Sequence, residues 1–70
     1  MINYLVVVHT VHDWPVAGRA EATNTYMFVL PQAATGWSDE KWMEEDVKDL
    51  QIYEYDGTQY VLIDRRHKDD

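Results

Sequence analysis

Residues 37–56 read WSDEKWMEEDVKDLQIYEYD, and the fold of this 70-residue chain turns on where in that stretch a helix gives way to a strand. Ser38 suits an N-cap, because its hydroxyl accepts a hydrogen bond from an amide that the first helical turn leaves unpaired. Asp39 and Glu40 follow, placing negative charge where the helix dipole favours it. Trp37 before the cap and Trp42 at the fourth helical position have the spacing of a hydrophobic staple. Trp42, Met43, Val47 and Leu50 fall within an arc of about 140° at 100° per residue, a stripe suited to packing on a sheet. The spacing predicts a helix over residues 38–50.

Strands are expected on both sides of it. Residues 2–12 (INYLVVVHTVH) are β-branched and apolar at both parities between Leu5 and Val8, the pattern of a central strand covered on both faces. DWPVAG, residues 13–18, is turn-prone, and a second strand is expected from Ala22 to Leu30, ended by Pro31. QAATG then reads as a linker into the helix. After the helix, Asp56-Gly57 between QIYEY and TQYVLI is a two-residue hairpin signal. It predicts Tyr55 opposite Thr58, Tyr53 opposite Tyr60 and Ile52 opposite Val61. One face of the hairpin then holds Tyr53, Tyr55, Tyr60 and Leu62, the other Ile52, Glu54, Val61 and Ile63.

The element order is ββαββ, an α+β fold with a four-stranded, mostly antiparallel sheet and one helix on a face. Strand order 2-1-3-4 makes every neighbour antiparallel, and 2-1-4-3 remains the alternative. One domain over residues 1–64 is expected, with residues 65–70 as a charged, frayed tail.

The same acidic stretch dominates the electrostatics. Of the thirteen acidic residues, eight (Asp39, Glu40, Glu44, Glu45, Asp46, Asp49, Glu54 and Asp56) lie between 39 and 56, against Lys41 and Lys48, in a chain of net charge −7. Nucleic acid and anionic lipid would repel such a surface, so a basic protein partner is the expected one. No apolar run is long enough for a membrane span. The absence of cysteine rules out disulfides, thiolate metal sites and cysteine nucleophiles. A cytoplasmic protein is expected, and at this size a homodimer would be unsurprising.

Two surfaces are candidate binding sites. On the expected helix, Glu40 and Glu44 form one acidic stripe and Glu45 and Asp49 another, with Glu54 and Asp56 continuing the patch. Like charges four residues apart cost a few tenths of a kcal/mol, a penalty that function would explain. Tyr53, Tyr55 and Tyr60 make the second surface, an aromatic row left open if the helix covers the Ile52 face; tyrosine is a typical interface anchor. The bland alternatives are a solubilising charge and tyrosines that are simply good strand residues.

Catalytic and metal chemistry find less support. His9 and His12 lie three apart on an extended strand and point to opposite faces, so they do not share an ion without a bulge. Ser38 is the only serine, and Gly18, Gly36 and Gly57 are isolated rather than a phosphate loop. Neither a cofactor nor a metal is expected, and no enzymatic activity.

A cysteine-free, very short, acidic and aromatic-rich chain resembles small phage-encoded inhibitors of bacterial defence or transcription machinery. Among these are anti-CRISPR proteins, anti-restriction DNA mimics and inhibitors of uracil-DNA glycosylase or RNA polymerase. The resemblance lies in size and charge. It implies stoichiometric occupation of a basic nucleic-acid site on a larger enzyme or complex, in the cytoplasm of a bacterial host. The rival expectation is a small structural or antitoxin-like subunit that associates through its tyrosine face or a sheet edge.

Overall fold

The computed structural model describes residues 2–68. The chain runs β1 (Tyr4–Trp14), β2 (Gly18–Phe28), α1 (Pro31–Trp42), β3 (Val47–Tyr55) and β4 (Tyr60–His67). The strands form one sheet in the order β2-β1-β3-β4, every pair antiparallel. The α+β, ββαββ architecture and the 2-1-3-4 order are therefore those expected.

The helix is not where the charge and capping signals placed it. It occupies residues 31–42, and the segment 47–50 is strand. Pro31 sits in the first turn, where its missing amide costs nothing and its fixed φ suits a helix. Leu30 is the N-cap and makes no side-chain cap hydrogen bond. Ser38 lies in the second half of the helix, fully buried, with its hydroxyl unpaired. At the far end Lys68 Nζ donates to the carbonyls of Trp42 (2.7 Å) and Glu44 (3.1 Å) and lies 4.5 Å from the Trp42 ring centre. A cation bonded to terminal helix carbonyls also opposes the negative end of the dipole.

A β-bulge accounts for the misplaced helix. His9 pairs with Asp49 and Thr10 with Val47, so Lys48 is an extra residue that shifts the register. Val47 and Leu50, three apart, consequently both face the core, a spacing that a regular strand does not give.

The hairpin register differs too. Tyr55 pairs with Tyr60 and Tyr53 with Leu62, leaving a four-residue loop, 56–59, instead of a two-residue turn. The Asp56 carboxylate shapes that loop by accepting from the amides of Thr58 (2.8 Å) and Gln59 (2.9 Å) and from the Thr58 hydroxyl (2.9 Å). Gly57 takes a φ of +109°, which glycine adopts without steric cost. The slip is two residues, so Tyr53, Tyr55, Tyr60 and Leu62 keep one face and Glu54 and Val61 the other, whereas Ile63, expected beside Val61, falls out of the alternation. A second bulge at Ile63 separates Leu62, opposite Tyr53, from Asp64, opposite Ile52.

The segment expected to fray continues β4. Arg65, Arg66 and His67 pair with Gln51, Leu50 and Asp49, and the Lys68 amide donates to the Lys48 carbonyl (2.9 Å). Asp69 and Asp70, the rest of that expected tail, lie outside the described residues.

The core is the layer between helix and sheet: Val6, Val8, Ala34, Val47, Leu50 and Ile52, with Tyr4, Tyr26, Phe28, Trp37 and Trp42 packed around it. Trp37 anchors the helix, its ring 4.4 Å from that of Tyr26 and 5.5 Å from that of Phe28. The helix thus covers the Ile52 face, and among the described residues no layer lies over the opposite face, so β1 is central as expected but is not covered on both faces. Beyond Thr10, β1 loses its pairing with β3, and β1 and β2 continue as a two-stranded arm whose residues 12–20 are all exposed.

Candidate functional site

The register lays out the uncovered face row by row. Leu5 pairs with Met27 on one side and Tyr53 on the other, and Tyr53 pairs with Leu62, so Met27–Leu5–Tyr53–Leu62 forms one line across all four strands. Beside it, toward the loop 56–59, lies the pair Tyr55–Tyr60, ring centres 5.1 Å apart. On the other side come Thr25–Val7–Gln51–Arg65 and then Thr23–His9–Asp49–His67. Met27 is 61% exposed, Leu62 46% and Tyr60 39%. Exposed Ile2, Val29 and Leu30 border the same end of the molecule. The result is an apolar band at one end of the face, grading into polar rows at the other.

The three expected tyrosines are brought together, and their hydroxyls are occupied within the chain. Tyr53 donates to Gln51 Oε1, Tyr55 to the Gly57 carbonyl (2.9 Å) and Tyr60 to the Ile2 carbonyl (2.9 Å). With the polar tips engaged, what a partner would meet is ring surface. Leu5 and Met27 complete the band and were not singled out from sequence. The signal for Leu5 was available: a strand apolar at both parities has a second apolar face wherever only one layer covers it.

Polar groups at the other end of the face are mutually satisfied. Asp49 accepts from Gln51 Nε2 (3.0 Å) and Arg65 Nε (3.2 Å), and His67 Nδ1 lies 3.4 Å away. Burial pushes the Asp49 carboxyl up, but the Gln51 and Arg65 hydrogen bonds, the Arg65 charge and His67 outweigh it and hold the group below its ordinary 3.8. Over the four rows, Asp49 and Arg65 cancel.

The expected acidic surface does not form as one face. Glu40 is on the helix, and Glu44 and Glu45 lie in the turn after it. Asp49 and Glu54 stand on opposite faces of β3, and Asp56 is in the loop that it shapes. Several of these acids are engaged. Glu54 accepts from the Tyr4 hydroxyl (3.0 Å), and Glu44 pairs with Lys41 (2.9 Å) and holds the Lys41 ammonium above its ordinary pKa. Asp39 pairs with Arg66 (2.9 Å).

Among the described residues, Asp13, Glu40, Glu45 and Asp46 make no ion pair within 4 Å. Asp13, Glu45 and Asp46, with Val11, His12 and Lys48, line an open cleft of about 480 Å³ where the arm leaves the sheet. The Val11 amide donates to the Asp46 carbonyl (2.8 Å), fixing the acidic turn at the arm end. Leu5 and Val11 are six residues apart on β1, so the apolar band and the acidic turn are separated by about 20 Å. No group of three or more His, Asp or Glu among the described residues is placed to hold a metal ion. No helix there is long and apolar enough to cross a membrane. No protein-family model, curated protein or solved structure matches the chain.

Proposed function

We propose that this chain is a protein-binding module that acts by docking, without chemistry of its own, and that its working surface is the apolar band of the open sheet face. The observation that supports this most directly is the line Met27–Leu5–Tyr53–Leu62, unroofed and flanked by Tyr55 and Tyr60. Contiguous apolar surface on a soluble domain is characteristic of a site that another molecule covers. Rigid tyrosines with internally bonded hydroxyls suit an interface, because few rotamers are lost when they are covered.

The acidic end favours a second reading. Four carboxylates without ion-pair partners among the described residues, three of them around one cleft, would attract a basic surface such as the nucleic-acid site of an enzyme. This is the inhibitor expected from charge, with its contact moved from a helix face to the arm base.

The two readings separate by salt and by variant. The immobilised chain is exposed to lysate of the cells that make it and eluted with rising salt. On the first reading the bound protein survives about 0.5 M salt, where exposed charges are screened within a few ångströms. It is lost on Met27→Glu and unaffected by Glu45→Lys with Asp46→Lys. A protein that elutes at low salt and is lost only from the lysine variant establishes the second reading and overturns the first.

A further inference from the structure

We infer that the occupant of the band is a second copy of this chain, stacked face to face about a two-fold axis that runs along the Met27–Leu5–Tyr53–Leu62 row. This rests on the reading of the band as a docking surface and names its partner.

Charge is the first argument. A chain of net −7 ordinarily repels its own copy, but here the negative charge is segregated. The open face and the arm that continues it carry Asp13, Glu21 and Asp49 against Arg19 and Arg65, a balance of −1. The helix side, the acidic turn and the loop 56–59 carry Asp39, Glu40, Glu44, Glu45, Asp46, Glu54, Asp56 and Asp64 against Lys41, Lys48, Arg66 and Lys68, a balance of −4. Apart from Asp56, in the loop beside Tyr55 and Tyr60, the surplus that would oppose association lies on the helix side and in the acidic turn. At about 20 Å the acidic turn lies beyond two Debye lengths at physiological salt.

The same charge selects the orientation. Two such faces can stack with their strand ends aligned or with one copy turned end for end. The first brings both acidic turns to one pole. The second sends them to opposite poles, and a two-fold axis along the apolar row is the operation that does so.

That axis also gives self-complementary chemistry. It lays the row on itself, so Leu5, Tyr53, Met27 and Leu62 each meet their equivalents, as an isologous contact requires. Neighbouring rows then exchange places. The Thr25–Val7–Gln51–Arg65 row of one copy faces the Tyr55–Tyr60 pair of the other, with Arg65 over Tyr60 on the outer strand. A guanidinium over a tyrosine face is attractive, and Arg65 is the cation in that row.

Area sets the strength. Four strands span about 19 Å, and three rows spaced two residues apart span about 20 Å, giving roughly 400 Å² of flat area per copy. The total of about 800 Å² falls below the roughly 1,200–2,000 Å² of stable specific interfaces and points to a weak, reversible dimer.

Sedimentation velocity of the full chain from about 5 to 500 µM, at low and at 0.5 M salt, tests this. The expected result is a concentration-dependent shift from monomer to dimer that does not weaken with salt. Leu62→Glu and, independently on the opposite edge, Met27→Glu should each raise Kd at least tenfold, with circular dichroism confirming the fold. The chain lacks cysteine, so Leu62→Cys gives a single reporter on the axis. A short bis-maleimide should link it to its equivalent far faster than Val16→Cys at the arm tip.

A monomer at 500 µM overturns the inference. So does a dimer that ignores both glutamate variants, or one that links faster through Val16→Cys. A monomeric chain that still captures a salt-resistant partner, sensitive to Met27→Glu, leaves the docking function standing with a different occupant.

Discussion

Ser38→Ala should make this domain more stable, contrary to the usual effect of a buried substitution. The Ser38 side chain is fully buried in the helix–sheet layer, and its hydroxyl has no hydrogen-bond partner. Burying an unpaired hydroxyl costs about 1–3 kcal/mol in protein mutational data. Alanine is also the better helix former by up to about 0.5 kcal/mol. Against this stands the contact area of one oxygen, worth less than the roughly 0.8 kcal/mol of a buried methylene. The net expectation is a gain of about 1–2 kcal/mol, with Tm rising by about 4–8 °C for each kcal/mol in a domain this small.

Urea unfolding followed by tryptophan fluorescence reads it directly, since Trp37 and Trp42 pack beside the same core. The midpoint should rise by about 0.5–1 M with the slope unchanged. A lower midpoint at unchanged slope refutes the reasoning. It would mean that the hydroxyl donates to a carbonyl in the preceding turn and that alanine leaves only a void.

Two further expectations concern the same fold. Gly36 sits within α1, and a methyl group added there meets nothing within 4 Å. Gly36→Ala should therefore add about 1 kcal/mol through backbone entropy alone, read as a rise in Tm; no change would mean that the helix is frayed at that turn. For Asp49, the carboxyl held low in the folded state contributes stability that is present above its unfolded value and lost as pH falls through the folded one. Stability should decline below about pH 4, and Asp49→Asn should flatten that decline and cost about 1 kcal/mol at pH 7. An unaltered acid limb in urea midpoints taken from pH 2 to 7 would show that other carboxylates govern it.

What the sequence revealed depended on whether regular periodicity held. β1 was legible because Leu5 to Val8 are apolar at both parities, and order 2-1-3-4 was one of two that a central β1 allowed, 2-1-4-3 being excluded only by the observed pairing. Residues 47–50 were not, because the bulge at Lys48 puts Val47 and Leu50 on one side at a helical interval. The true helix was hidden by its composition: PQAATGWSDEKW buries Ala34 and Ser38, a narrow stripe with little apolar signal.

The tyrosine face survived a wrong hairpin register because a slip of two residues conserves side-chain direction. Leu5 and Met27 entered the same surface only through strand pairing, a long-range fact. The acidic patch was legible as composition and not as geometry. Once β3 takes up residues 47–55, Asp49 and Glu54 part to opposite faces and Asp56 becomes a loop-shaping acceptor.

The arm beyond Thr10 has a consequence of its own. Its residues 12–20 are exposed and add no side chain to the central cluster, so changes at the Pro15–Ala17 tip cost the rest of the fold little. The tip is therefore free to vary, or to accept a graft or a label, while the layered body keeps its shape.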